Sequence, residues 1–277
     1  MSLRSFLFEK RVQGLRIGLV PTMGALHQGH LSLVRHCKQH CDLTVVSIFV
    51  NPTQFNNLSD YEQYPVTIEQ DIDLLKQEAV DAVFSPGQEV LYPSASKISF
   101  SFTPLDSVLE GAFRPGHFSG VALVVSKLFN IVQPDIACFG QKDLQQVAII
   151  KNLNEELAFG IDVQTVPTVR ETDGLALSSR NTRLSRHQRQ LAPIVYKSMT
   201  VAKQRLLNGA DIGTTMAEAR QQFEKYQPDI ELEYFELVDS NELTVVKNLS
   251  EHAQVSLCIA AYFGEVRLID NLFVVSR

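Results

Sequence analysis

Apolar and polar positions along the chain fall into two regimes. Through about residue 166, short apolar runs alternate with segments of helical period. Residues 15–20 form an apolar run that stops at Pro21, and residues 43–50 form a β-branched run that stops at Asn51-Pro52. Both predict buried strands. Residues 82–84, 136–139 and 161–166 add three more, the first of them ending at Ser85-Pro86-Gly87. Between the strands, residues 31–40, 68–77, 121–132 and 144–152 repeat their apolar positions at helical spacing. Alternation of this kind predicts an α/β fold, a Rossmann-like doubly wound parallel sheet with helices on both faces.

The second regime begins after Arg180. Ser185-x-x-Gln188 reads as a capping box opening one helix that runs to about Leu207 and stops at Asn208-Gly209. A second helix spans residues 212–226 and ends before Pro228. Strand patterns follow at residues 231–238, 243–246, 255–262 and 268–275. Helices followed by strands predict a smaller C-terminal α+β domain. The expected division is residues 1–178 and 179–277, the second domain serving as a lid.

Composition narrows the partners. The 277 residues carry 25 basic and 31 acidic side chains, a net charge of −6. That balance argues against general nucleic-acid binding and leaves a nucleotide substrate open. No apolar stretch has the length of a membrane span, and the first ten residues lack the pattern of a signal peptide. Cys37, Cys41, Cys138 and Cys258 are too sparse for a disulfide framework, which points to the cytoplasm. His36, Cys37, His40 and Cys41 lie in one helical run, where four ligands do not converge on a tetrahedral metal; no metal-binding residues are expected.

Candidate chemistry gathers where predicted strands end. After the first strand, Met23-Gly24 permits a tight turn through Ala25 and Leu26, and His27-Gln28-Gly29-His30 opens a helix. A helix start at the carboxyl edge of such a sheet offers N–H groups and positive dipole character to phosphates. Gly29 leaves room for a flat adenine ring, and His27 and His30, three apart, reach one phosphate group as donors. Asn51 and Gln54 follow the second strand with amides suited to hydroxyls and a carboxylate, although Asn-Pro is also ordinary turn chemistry. Gly140-Gln141-Lys142-Asp143 follows another strand without the spacing of a Walker loop. Lys142 is suited to phosphate charge and Asp143 to ribose hydroxyls. Gln146, one turn further, is expected to face the same pocket as Gln54. Ser178, Ser179 and Arg180 suit a triphosphate, and Arg114 with His117 forms a basic Gly/Pro loop.

The H-x-G-H string after such a strand is similar to the HIGH signature of the nucleotidyltransferase superfamily. The longer string at residues 21–30, P-T-M-G-A-L-H-Q-G-H, resembles the pantothenate synthetase family. The segments F-V-N-P-T-Q-F at 49–55, R-P-G-H-F at 114–118, F-G-Q-K-D-L-Q-Q at 139–146 and L-A-L-S-S-R-N at 175–181 match in the same order. Two positions depart from it: Leu177 stands where Met is frequent and Leu123 where Thr is expected.

The resemblance implies an AMP-forming ligase that condenses pantoate with β-alanine through a pantoyl adenylate, with ATP as substrate and Mg²⁺ on its phosphates. It implies His27, His30 and Lys142 as catalytic groups, and Gln54, Gln146, Asn51 and Arg114 as pantoate contacts. ATP contacts are implied at Met23–His30, Gly140–Asp143, Val169, Leu177, Ser178, Ser179 and Arg180. A homodimer is implied too. Two alternatives remain at this stage: another HIGH-motif nucleotidyltransferase acting on a different small acid or a phosphate ester, and a nucleotide-binding protein without catalysis.

Overall fold

The structure, a computed structural model, describes residues 2–276. It divides into two compact units. The first runs to Gly140 and resumes over Ile149–Pro167; the second comprises Gln141–Ala148 and the chain from Thr168 onward. The expected boundary at 178/179 therefore lies inside the second unit, and an eight-residue excursion at 141–148 also belongs to that unit.

The elements of the first part of the chain are α1 (Leu3–Val12), β1 (Ile17–Thr22), α2 (Gln28–His40), β2 (Leu43–Ile48), α3 (Leu58–Glu62), α4 (Ile68–Gln77), β3 (Ala82–Phe84), α5 (Gln88–Leu91), α6 (Glu110–Phe113), α7 (His117–Val132), β4 (Ile136–Gly140), α8 (Leu144–Glu156) and β5 (Asp162–Val166). The division between units passes through α8. All five strands pair in parallel in the order β3-β2-β1-β4-β5. The order reverses between β1 and β4, so their carboxyl ends flank the crevice where such sheets bind ligands.

One face of this sheet is built from Val20, Val46, Ile48, Ile136, Cys138 and Val166, packed against Leu31, Leu33, Val34 and Cys37 of α2 and Leu75 of α4. Leu19, Val45 and Ala137, of opposite parity, are also buried. A sheet covered on both faces needs continuous apolar strands, which is why these read as runs and not as alternation. Helix α7 is apolar on nearly every side and correspondingly buried. Helix α1 has no counterpart among the expected elements. It buries only Leu7, so its apolar period is weak, and Arg11 anchors it by donating to the carbonyls of Val132 and Gln133.

The second unit contains α9 (Arg186–Leu191), α10 (Ile194–Leu207), α11 (Ile212–Glu224), β6 (Glu231–Asp239), β7 (Gln254–Phe263) and β8 (Val266–Ser276). The strands form an antiparallel sheet in the order β6-β7-β8. Val195, Met199, Ala202 and Leu206 of α10 and Met216, Ala219 and Phe223 of α11 share a core with Phe235, Leu237, Leu257, Ile259 and Phe263. Two expectations are corrected here. The single helix over 185–207 is two helices, because Pro193 lacks an N–H and its ring crowds the preceding turn. The strand over 243–246 reduces to an isolated bridge between Val238 and Val245, with Leu243 in the left-handed region at φ 56°. The Ser185 capping box is present, Ser185 Oγ accepting the Gln188 N–H and Gln188 Oε1 the Ser185 N–H.

Cys37 and Cys41 place their sulfurs 3.7 Å apart beneath β1. The hydrogen bond between the Cys37 and Cys138 thiols, reinforced by burial, pushes Cys37 up to about 12. The His36 and His40 rings stack beside them at 4.4 Å, with His36 Nε2 bonded to Gln164 Oε1. Folded protein treated with iodoacetamide at pH 8 is expected to keep Cys37 unmodified, since the thiolate is the reactive form. Rapid carbamidomethylation of Cys37 before unfolding, read by peptide mass, would contradict this packing.

Candidate functional site

The chain leaves β1 through a turn that no helix or strand ladder supports. Gly24 sits at φ 82° and Ala25 at φ 49°. Glycine takes that conformation without penalty; alanine does so only where neighbours hold it. The neighbour is Asp71 of α4, 1% exposed. Its Oδ2 accepts the Ala25 N–H at 3.0 Å, and its Oδ1 accepts the Leu26 N–H at 2.8 Å and the Thr67 hydroxyl at 3.2 Å. A β-carbon on Gly24 would lie 2.9 Å from Asp71 Oδ2, so the glycine is required for the close approach as well as the φ.

The two histidines that follow cap α2. His27 is extended, at φ −141° and ψ 177°, and its Nδ1 accepts the Gly29 N–H at 3.1 Å. His30 Nδ1 accepts the His27 N–H at 3.3 Å. The result is a reciprocal capping box made of imidazoles, with ring centroids 4.1 Å apart. A ring nitrogen that accepts from a backbone amide carries no proton. The cap therefore sets both rings as Nε2–H tautomers, which donate while uncharged.

Most amides of the turn are already committed. The Gly24 N–H goes to Thr22 Oγ1, those of Ala25 and Leu26 to Asp71, and those of His27 and Gly29 to the imidazoles. The turn uses these amides internally.

The end of β2 builds a second cluster in the same unit. Asn51 is 1% exposed and caps a 3-10 turn over Pro52–Gln54. Its Nδ2 donates to Gly120 O at 3.1 Å and Gln54 Oε1 at 3.2 Å, and its Oδ1 accepts from the Tyr92 hydroxyl at 2.8 Å. Asn51 thus fixes the side chain of Gln54, whose Nε2 contacts Met23 Sδ at 2.8 Å. Helix α7 approaches closely because Gly120 has no side chain: a β-carbon there would lie 2.1 Å from Thr53 O. His117, at the start of α7, donates from Nδ1 to Gln54 O at 2.7 Å, and its Nε2 lies 3.3 Å from Arg114 Nη1. A guanidinium only donates, so His117 is the neutral Nδ1–H tautomer here. Arg114 also faces Glu110 at 3.8 Å. Met23, Gln54, Asn51, Arg114 and His117 are therefore one connected group.

In the second unit, Gln141–Asp143 form a 3-10 turn that runs into α8, with Gln146 partly buried in the first turn of that helix. Lys142 Nζ is 3.8 Å from Asp143 Oδ1. Val169 and Leu177 face each other across a short hairpin, the Leu177 N–H donating to Val169 O at 3.0 Å. Ser178 then caps a 3-10 turn over Ser179–Arg183, accepting the Arg180 N–H at 3.3 Å. Arg189 pins the hairpin tip through Asp173 at 2.6 Å and Glu171 at 3.1 Å.

Sequence reasoning did not single out Asp71, Tyr92 or Gly120. Asp71 carried a signal: it lies three residues after Ile68 and four before Leu75, on the apolar stripe of α4, where a carboxylate is out of place unless it is paired. Tyr92 and Gly120 carried none, since their roles depend on which loop packs against which helix.

The fold and the capped H-x-G-H onset define a Rossmann-like α/β protein with an imidazole-capped helix start after its first strand. The sequence model of the family described as pantoate-beta-alanine ligase matches residues 1–273. A pantothenate synthetase from Bacteroides thetaiotaomicron is 46% identical over 273 residues, covering 98% of this chain and 95% of the relative. One from Thermoanaerobacter pseudethanolicus is 45% identical over 271 residues, covering 98% and 95%. The crystal structure of pantothenate synthetase from Thermus thermophilus superposes with a TM-score of 0.90 at 39% identity, covering 97% of this chain and 98% of that one. The pantoate-beta-alanine ligase from Francisella tularensis, in a complex with beta-gamma ATP and beta-alanine, gives 0.79 at 34% identity, covering 99% and 97%. The chain belongs to the pantoate-beta-alanine ligase family.

Two substitutions test the local architecture. Asp71→Ala removes the acceptor for two partly buried amides and is expected to destabilise the first unit by about 2 kcal/mol, the cost of leaving such donors without a partner. Gly120→Ala drives a methyl into Thr53 O and is expected to cost about 2 kcal/mol by overpacking. Denaturant melts measure both, and unchanged midpoints would contradict the contacts described.

Proposed function

We propose that the chain makes pantothenate from pantoate and β-alanine in two steps that consume one ATP. A carboxylate oxygen of pantoate attacks the α-phosphorus of ATP; the bond to the departing pyrophosphate breaks and pantoyl adenylate forms. The β-alanine amine then attacks the activated carbonyl carbon, loses a proton, and AMP leaves with the electrons of the broken C–O bond. A free carboxylate has only oxide to expel, whereas AMP departs readily, so no protein nucleophile is needed. Such chemistry rests on positioning and on charge stabilisation.

The observation that carries this reading is the imidazole capping box at the carboxyl end of β1, in a chain of this family. Two Nε2–H donors held by their own helix start cost no reorganisation when phosphate oxygens gain charge. We assign His27, His30 and Lys142 to that charge, with Gly29, Asp143, Val169, Leu177, Ser178, Ser179 and Arg180 as further nucleotide contacts. Gln54 and Gln146 are assigned to pantoate, with Asn51 acting through Gln54 and Arg114 supplying positive charge. Among the described residues no group of three His, Cys, Asp or Glu side chains is disposed to hold a metal. By analogy with the family we assign Mg²⁺ to the phosphates of ATP, where it would offset their charge. By analogy with the family we propose a cytoplasmic homodimer; light scattering at twice the chain mass tests the dimer. Among the described residues no helix is long and apolar enough to cross a membrane.

A product assay with ATP, pantoate and β-alanine, each omitted in turn, is expected to give pantothenate and AMP only when all three are present, whereas ATP and pantoate without β-alanine should release pyrophosphate only in proportion to enzyme. Pyrophosphate exchange should need pantoate but not β-alanine. A stable product retaining the nucleotidyl group would instead identify a different HIGH-motif transferase. His30→Ala is expected to lower the rate of adenylate formation about a hundredfold or more, as loss of a transition-state donor does. ATP affinity should change little, and wild-type turnover by that variant would remove the assigned role.

A further inference from the structure

The second unit contains two loops that bear residues assigned to the nucleotide, 141–143 and 171–180. Neither lies within a strand or an α-helix, so each needs an external hold on its backbone. Both holds meet at one buried cluster on β8, where Asp270 is 4% and Asn271 2% exposed.

Asn271 uses its whole amide. Its Nδ2 donates to Gln141 O at 2.8 Å and to Lys142 O at 2.9 Å, and its Oδ1 lies 3.3 Å from Gln141 Nε2. Its backbone is held in turn: the N–H donates to Asp270 Oδ1 at 2.8 Å, and the carbonyl accepts from Arg170 at 3.1 Å. Arg170 grips Asp270 with a fork, at 2.5 Å and 3.0 Å, and lies 4.0 Å from the centre of the Tyr196 ring. The same guanidinium donates to Gly174 O at 3.1 Å, in the turn of the hairpin that leads to Ser178. Burial pushes the Asp270 carboxyl up, opposed by Arg170 and the Asn271 N–H. One cluster therefore ties the root of Lys142 to the hairpin that delivers Ser178, Ser179 and Arg180.

We infer that Asn271 is a positioning residue for Lys142, with the Arg170–Asp270 pair as the brace that holds Asn271 in place. The inference rests on the charge role proposed above for Lys142. A lysine is a point charge on a flexible stem, so its usefulness depends on where the stem is rooted. Asparagine is suited to the place because two neighbouring carbonyls need two donors from one side chain. Aspartate has the same shape but brings no donor and sets a negative charge against both oxygens.

The test is a double-mutant cycle of Asn271→Asp and Lys142→Ala, read by pantoate-dependent pyrophosphate exchange. Asn271→Asp is expected to lower the exchange kcat about tenfold or more in the wild-type background and less than about threefold on top of Lys142→Ala. The KM for β-alanine in the full reaction should stay within about twofold, because that amine enters only after the adenylate forms. Val274→Ala, which trims a buried apolar side chain of the same strand, controls for stability and should leave kcat unchanged. Arg170→Lys keeps the charge but loses the fork, and should fall between wild type and Asn271→Asp. Equal losses in both backgrounds, or an unchanged kcat in Asn271→Asp, would overturn the positioning role. If Lys142→Ala alone exchanges like wild type, it is the proposed role of Lys142 that falls, and the two failures are distinct.

Discussion

The candidate site of the first unit depends on a buried carboxylate. Between the last hydrogen bond of β1 and the first of α2 the backbone must reverse, and its amides have no ladder to join. Asp71 accepts two of them in a bidentate fashion from 1% exposure. A carboxyl group buried in that place is tolerable only because those amides and Thr67 bond to it, and the amides in turn are satisfied only because it is there. The mutual requirement fixes Gly24 and Ala25 in left-handed conformations, and so fixes where His27 enters the helix.

From that point the helix start organises the chemistry. Ser, Asp or Asn would cap α2 as well as His27 does, so capping alone does not call for histidine. What imidazole adds is a second nitrogen. With Nδ1 committed to the backbone, Nε2 becomes a donor whose tautomer is set by the fold. The usual account of anions at helix starts relies on free amides. Here the amides from Gly24 to His27, and that of Gly29, are consumed internally. Asn51 follows the same logic, since its amide holds Gln54 and the Gly120 carbonyl together and closes α7 onto the turn after β2.

The second unit solves a different problem. Its antiparallel sheet is rigid, but the residues of interest lie on irregular backbone before and after α8. Arg170, Asp270 and Asn271 bring strand rigidity to those loops. A buried ion pair of this kind is weak evidence for net stability, because desolvation offsets the attraction. Its value here is geometric: a forked, fully paired cluster admits one arrangement of the two loops.

The sequence by itself determined the strand–helix alternation, the two regimes and the positions of the chemistry-bearing residues. Those features are written in local spacing: an apolar run before Pro21, a glycine where the turn needs positive φ, an H-x-G-H at a helix start. It also determined the family, through ordered motifs at 21–30, 49–55, 114–118, 139–146 and 175–181. It did not reveal the break at Pro193, although the residue was in plain view, because the capping signal at Ser185 and the stop at Gly209 suggested one uninterrupted helix. Only the tertiary structure decided that Asp71 lies under the turn, that Gly120 admits Thr53, and that Asn271 holds Lys142 across 129 residues of chain. The physical reason is the same in each case. A hydrogen bond between distant segments leaves no periodic trace in either one, and its partner is chosen by packing.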